Sequence, residues 1–233
     1  MNKLFLMAVL ITAVLASCKK DSTAKPICRI ITITPSGVGS LAYNLSYNSD
    51  GKLNTSSHGT VITTFSYSPN TIIETTTNGG AFGSKKTITL NANGLATNVR
   101  TENNVAGTLW DNTLYEYSGA ELIKSTYTDS AGDPVDISTF TWSAGNLVSI
   151  TSGSLTSVLA YYTDKPAQTG DYFSLIQLTF GFDIYRVKNA IKSSVSGSST
   201  TSFIYSFDAD GKIASVSVTG NSTTTFNYQY QCN

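Results

Sequence analysis

The sequence predicts an all-β protein. It reads as a long antiparallel meander of about sixteen strands, strongly curled by its own twist, with one short helical or irregular insertion. Three observations predict this. Aromatic residues recur at every second position in segments such as Phe203–Phe207, the period of a half-buried strand. A turn unit ends those segments and repeats along the chain. A second series of Gly, Asn and Ser breakers lies between its copies, so short strands alternate with turns at both ends of one sheet.

The turn unit is clearest in Phe203–Val218, FIYSFDADGKIASVSV. Asp208 suits the first position of a type I turn, and Gly211 takes the left-handed conformation of a bulge residue at no Cβ penalty. That geometry sets Ile213 opposite Phe207. Tyr47 and Leu53 repeat the spacing around Asn48-Ser49-Asp50-Gly51. Tyr67 and Ile72 flank Pro69-Asn70, Tyr117 and Leu122 flank Ser118–Glu121, and Trp142 and Leu147 flank Ser143–Asn146. Two-residue loops there place each aromatic opposite its aliphatic partner. Leu90–Leu95 reads as a weaker copy, one residue short before its second leucine. The other series comprises Ser57-His58-Gly59, Asn78-Gly79-Gly80, Asn103–Gly107, Ser130–Pro134, Ser152–Ser154, Gly197–Ser199 and Gly220–Ser222. Pairing this local needs no crossover helices.

Thr163–Lys188 breaks the pattern. Tyr172, Phe173, Ile176 and Phe180 fit one face of a helix, whereas Ile176, Leu178, Phe180, Phe182 and Ile184 fit strand alternation, and periodicity leaves both open. The apolar density favours a short helix at Gly170–Thr179, packed on the sheet.

The start of the chain reads as an address. Lys3 and the apolar run Leu4–Val14 form a secretory h-region too short for a membrane span. Leu15-Ala16-Ser17-Cys18 resembles the bacterial lipobox, which makes residues 1–17 a signal peptide and Cys18 the lipidated residue. Several acyl chains on one cysteine anchor stably. Residues 18–26 read as a flexible tether and 27–233 as one all-β domain. Lys19-Lys20-Asp21 resembles the tails of Bacteroidota lipoproteins. The implied location is the outer membrane, on its periplasmic face or at the cell surface, with the membrane as a partner through the lipid.

Fifteen basic and fifteen acidic residues, 13% of the chain, offer no concentrated charge for nucleic acid or an acidic partner. Two further cysteines in an oxidising compartment suggest a disulfide between Cys28 and Cys232. Cys28 begins the first strand and Cys232 follows the last. With an even number of strands both lie at one end of the sheet, and a sheet curled into a flattened closed barrel makes them neighbours. An open superhelical sheet keeps them apart.

Chemistry is sparse. His58 is the only histidine, placed in a turn, so a multi-His metal site is excluded. Asp208–Gly211 lacks the further ligands of a calcium loop, and no Gly-rich phosphate loop leads from a strand into a helix. Glu74, Glu102 and Glu116 fall on strand segments, at positions read as exposed. Asp21-Ser22-Thr23 and Asp129-Ser130-Ala131 resemble a short Bacteroidota O-glycosylation motif. Aromatics opposite aliphatics read as core. Trp110 lies outside the repeat and is the candidate ligand-binding residue.

The reading is a non-enzymatic structural or binding module without a cofactor. A glycan-binding accessory protein is the alternative, and a hydrolase with paired carboxylates a lesser one. A transmembrane barrel fits poorly, since strands of about six to eight residues fall short of a crossing.

The units Tyr47–Leu53 and Phe207–Ile213 resemble degenerate YD repeats of the Rhs type. Tyr161-Tyr162, Lys165-Pro166 and Lys188-Asn189 around an apolar segment resemble a motif of uncharacterised Bacteroidota lipoproteins. That resemblance implies a porin-like antiparallel β-fold with no attached activity.

Overall fold

The computed structural model describes residues 27–37, 39–132 and 134–232, so the signal peptide, Cys18 and the tether lie outside the described residues. Sixteen strands follow one another: β1 (Cys28–Pro35), β2 (Tyr43–Tyr47), β3 (Leu53–His58), β4 (Val61–Ser68), β5 (Thr71–Asn78), β6 (Ala81–Leu90), β7 (Ala96–Glu102), β8 (Trp110–Ser118), β9 (Glu121–Asp129), β10 (Pro134–Ser143), β11 (Asn146–Ser152), β12 (Leu155–Pro166), β13 (Asn189–Ser196), β14 (Ser199–Phe207), β15 (Ile213–Thr219) and β16 (Thr223–Cys232). Each pairs antiparallel with the next, and β1 pairs with β16, which closes a barrel. Closure pairs the first and last strands along their length, while the β1–β2 seam is held by two residue pairs, Thr32 with Asn44 and Ile33 with Tyr43. Cys28 stands opposite Cys232 in the closing ladder, their Cα atoms 4.0 Å apart, and the two are disulfide-bonded.

The turn units set the register as their spacing predicts. Tyr47 faces Leu53, Tyr67 faces Ile72, Tyr117 faces Leu122, Trp142 faces Leu147 and Phe207 faces Ile213. Gly211 has φ +80°, the left-handed value its bulge requires. The unit after Leu90 is corrected. Leu90 pairs with Ala96, and Asn91 N–H donates to the Leu95 carbonyl at 2.9 Å, as Asp208 N–H does to that of Lys212. This copy is therefore complete, with Ala96 in the aliphatic place.

Three other expectations change. His58 is the last residue of β3 and half-buried, its ring stacked on Tyr43 at 4.4 Å between centroids. β12 runs on to Pro166, four residues into the expected insertion, because Pro166 still pairs with Asn189. Several strands also exceed eight residues: β6, β10 and β16 have ten and β12 has twelve. Strand length therefore gives no argument against a membrane crossing.

The outer wall is rich in hydroxyl side chains. Alternation with the buried Phe65, Phe203, Tyr205, Val216 and Tyr228 puts Thr64, Ser66, Ser202, Ser206, Ser215, Ser217, Thr225, Asn227 and Gln229 outside. Hydroxyls on this wall bond across strands: Ser206 to Ser215 at 2.6 Å, Ser217 to Thr225 at 2.8 Å and Ser46 to Thr55 at 2.6 Å. Ile62, Leu114, Ile137, Val158, Val195 and Ile204 stand among them, Val158 directly opposite Val195. A lipid-facing barrel wall needs an apolar band with aromatic girdles. This one is a hydroxyl lattice.

The insertion resolves as a helix, α1 (Tyr172–Phe180), against the strand alternative. Its caps decide. Asp171 Oδ1 accepts from Ser174 N–H at 2.8 Å, and Gly181, at φ +77°, returns its N–H to the Gln177 carbonyl.

Candidate functional site

All the turns of the first series lie at one end of the barrel, with both cysteines and the insertion, and there the core is organised as a collar. On seven of the eight even strands an inward aromatic donates to a carbonyl of the strand before it. Tyr47, Tyr67 and Tyr117 Oη donate to Ile30, Leu53 and Ala96 at 2.7, 2.8 and 2.6 Å. Trp142 Nε1 and the Oη of Tyr161, Tyr205 and Tyr230 donate to Leu122, Leu147, Ile191 and Ile213 at 2.8, 2.7, 3.0 and 2.8 Å. The residues that supply these carbonyls are all buried. β6 carries Leu90 at this level. Burial pushes the Tyr47 and Tyr67 hydroxyls up to about 12, so they stay neutral donors.

Residues 167–188 fill this collar from within. α1, about 13 Å long by its rise, crosses the lumen. Tyr172 packs on Phe203 of β14 at 4.4 Å, and Gly181 at the other end sits against Phe65 of β4, where no Cβ would fit. Between them Phe173 packs edge-on to Tyr185 at 5.2 Å and lies 6.5 Å from Tyr161 of β12. The chain after α1 is tied to the opposite wall. Ala96 N–H donates to Asp183 at 2.8 Å, Tyr117 Oη to Ile184 at 2.9 Å and Lys188 N–H to Gly145 at 2.9 Å. The buried Asp171 carboxylate accepts from Ser174 and Gln168. Burial raises its pKa, and those backbone donors oppose the rise. The insertion thus packs on the sheet, as expected, but on its inner face.

Beside the plug is a cavity of about 170 Å³ lined by Lys86, Tyr115, Phe173, Ile176, Phe180 and Ile184, among others. Lys86 Nζ lies 2.8 Å from Glu74 Oε1, and Glu74 is only 4% exposed. Its Oε2 has no hydrogen-bond partner. Burial raises the Glu74 pKa, and the Lys86 ammonium opposes the rise. Glu74 was expected on an exposed strand position. It lies inside because Ile72, two residues earlier, faces the collar. The other two glutamates meet the expectation better. Glu116 is exposed on the outer wall beside Lys124 at 2.8 Å, and Glu102 lies beside Lys85 at 3.5 Å.

Trp110 is also on the outer wall, with the Arg100 guanidinium 4.4 Å from its ring centre, apart from the lumen cavity. A separate cleft of about 320 Å³ opens at the collar end, between α1 and the first hairpins. Arg29, Tyr47, Lys52, Tyr67, Gln177 and Phe182 help to line it. Lys52 Nζ lies 5.1 Å from the centre of the Tyr67 ring. Among the described residues no group of three or more His, Cys, Asp or Glu gathers to hold a metal. The carboxylate beside the lumen cavity is matched by a lysine, where paired-carboxylate hydrolysis needs a second carboxylate.

No protein-family model matches the sequence, and no curated protein matches it significantly. Solved structures do. The fold is porin-like. A porin-like protein from Bacteroides uniformis superposes with a TM-score of 0.66 at 18% identity, over 87% of this chain and 96% of that one. A porin-like protein from Bacteroides vulgatus gives 0.59 at 16% identity, over 86% and 97%. Identities this low establish a shared architecture and carry no activity with them.

Proposed function

We propose that the protein is a non-enzymatic binding module held at the outer membrane by a lipid on Cys18, with its barrel in the aqueous phase. The hydroxyl-rich outer wall carries this reading, because Ser, Thr and Asn in the strand middle are costly against acyl chains. The plug supports it too. The lumen at the collar is crossed by its own helix and packed with Phe173, Leu175 and Tyr185. Radiolabelled palmitate and membrane fractionation test the reading on wild type and Cys18→Ser. The expected result is acylated wild type in the membrane fraction and an uncleaved, unacylated precursor from the variant. Equal acyl labelling of wild type and variant would overturn the lipid anchor.

The collar-end cleft supports a second reading, glycan binding, because it combines the Tyr47, Tyr67 and Phe182 rings with Arg29, Lys52 and Gln177. On this reading Tyr67→Ala abolishes retention on an immobilised polysaccharide panel and Trp110→Ala does not. The opposite order would return Trp110 to first place.

A further inference from the structure

The lumen cavity has a chemistry that neither the collar nor the plug requires. Its apolar walls are Ile176, Phe180, Phe182 and Ile184, and beside Gln177 and two tyrosines its charged member is the Lys86 ammonium. Phe180 leaves 49% of its surface uncovered although it belongs to a plug that is otherwise packed. Lys86 Nζ sits 5.9 Å from the centre of the Phe180 ring, so the cation and the uncovered ring share one side of the cavity. An ammonium carries three donors, and the Lys86 hydrogen bond in this structure goes to Glu74 Oε1. Glu74, inside the same wall, keeps one oxygen without a partner. A buried polar atom left unpaired costs stability. A cation beside an uncovered aromatic ring has the elements of a binding site. Its size is instructive as well, since an apolar cavity of about 150 Å³ accepts benzene.

We propose that this cavity binds a small monocarboxylate with a ring or short alkyl body, its carboxylate on Lys86 and its body against Ile176, Phe180 and Phe182. Glu74 is then a selectivity element. It holds the lysine in place by the 2.8 Å contact to its Oε1. A cationic ligand of the same shape meets the lysine and is rejected. This deepens the binding-module reading by naming a ligand class. It is independent of Cys18, so its failure leaves the lipidation result untouched.

Calorimetric titration of the purified full chain with benzoate, benzyl alcohol and benzylamine tests it. Benzoate is expected to bind most tightly and benzylamine not at all. Lys86→Met should weaken benzoate by about tenfold or more, the worth of a charged hydrogen bond. Glu74→Gln should bind benzoate at least as well as wild type, because it removes a carboxylate and keeps a donor. A purely structural Glu74–Lys86 pair predicts parallel losses in both variants. Should Lys86→Met not fold, the double variant Glu74→Gln/Lys86→Met leaves no unpaired charge beside the cavity and takes its place. No heat with benzoate, equal affinity for benzylamine, or an unchanged affinity when Lys86 is replaced would each overturn the proposal.

Discussion

Leu147 and Leu155 stand at opposite ends of the β11–β12 hairpin. Leu147, at the collar end, is fully buried under Trp142 and Tyr161, whereas Leu155, at the far end, is 55% exposed. The same contrast runs round the barrel. At the collar end each hairpin contributes an aliphatic residue, nearly all add an aromatic donor, and the plug fills what remains. At the far end the inward positions include Thr63, Thr76 and Ser157, and the connections there range from Gly79-Gly80 to the longer stretch between β7 and β8. A sixteen-strand barrel is too wide for its own side chains to fill. This chain fills one end with a helix and leaves the other to polar groups. Closure, burial and the disulfide are thereby concentrated in one region.

The largest effect tests that concentration. Replacing Cys28 and Cys232 by serine removes a cross-link spanning 204 residues, worth at most about 5 kcal/mol in the chain-entropy model. The β1–β16 ladder still pairs without it, so urea melts should show a loss below that limit with the barrel intact. Unchanged melts would mean that the cysteines add nothing to closure.

The disulfide was legible in the sequence because strand parity fixes where the first and last strands begin and end. The collar pairs were legible too, since one aromatic-turn-aliphatic spacing sets register. Other features were not. Leu95 looked like the aliphatic member of its unit, yet it occupies the place of Lys212, and only the hydrogen bond from Asn91 reveals the shift. The hydroxyl-to-carbonyl bonds of the collar join residues fourteen or more apart, such as Tyr67 and Leu53, and leave no local pattern. Whether 167–188 packs inside or outside the sheet is a matter of closure, which periodicity does not carry. Glu74 was readable in retrospect, because it follows the inward Ile72 by two.

The next effect compares the two leucines directly. Leu147→Ala should cost about 2–5 kcal/mol and Leu155→Ala no more than about 0.5 kcal/mol. Similar losses in thermal or urea melts would erase the distinction between the ends.

A smaller effect concerns pH. The raised pKa of Glu74 means that the folded chain keeps this proton at pH values where the unfolded chain, near the ordinary 4.5, has lost it. Its contribution is therefore most favourable below pH 4.5 and declines as pH rises through the raised value. Glu74→Gln should gain on wild type in urea midpoint as pH increases from about 4 to 7. A gap that stays constant over that range would place the carboxylate in a solvated setting.

Native-state hydrogen exchange tests most directly whether the plug is part of the core. The amides of Leu175, Gly181 and Lys188, bonded to Asp171, Gln177 and Gly145, lie on the plug. Those of Gly79 and Gly220 lie in far-end turns. If the plug is built into the collar, the first group exchanges only through global unfolding, together with Ala96, while the second exchanges faster. Plug amides that exchange well ahead of the strands would make residues 167–188 a removable lid, and a lumen closed by the fold would no longer be tenable.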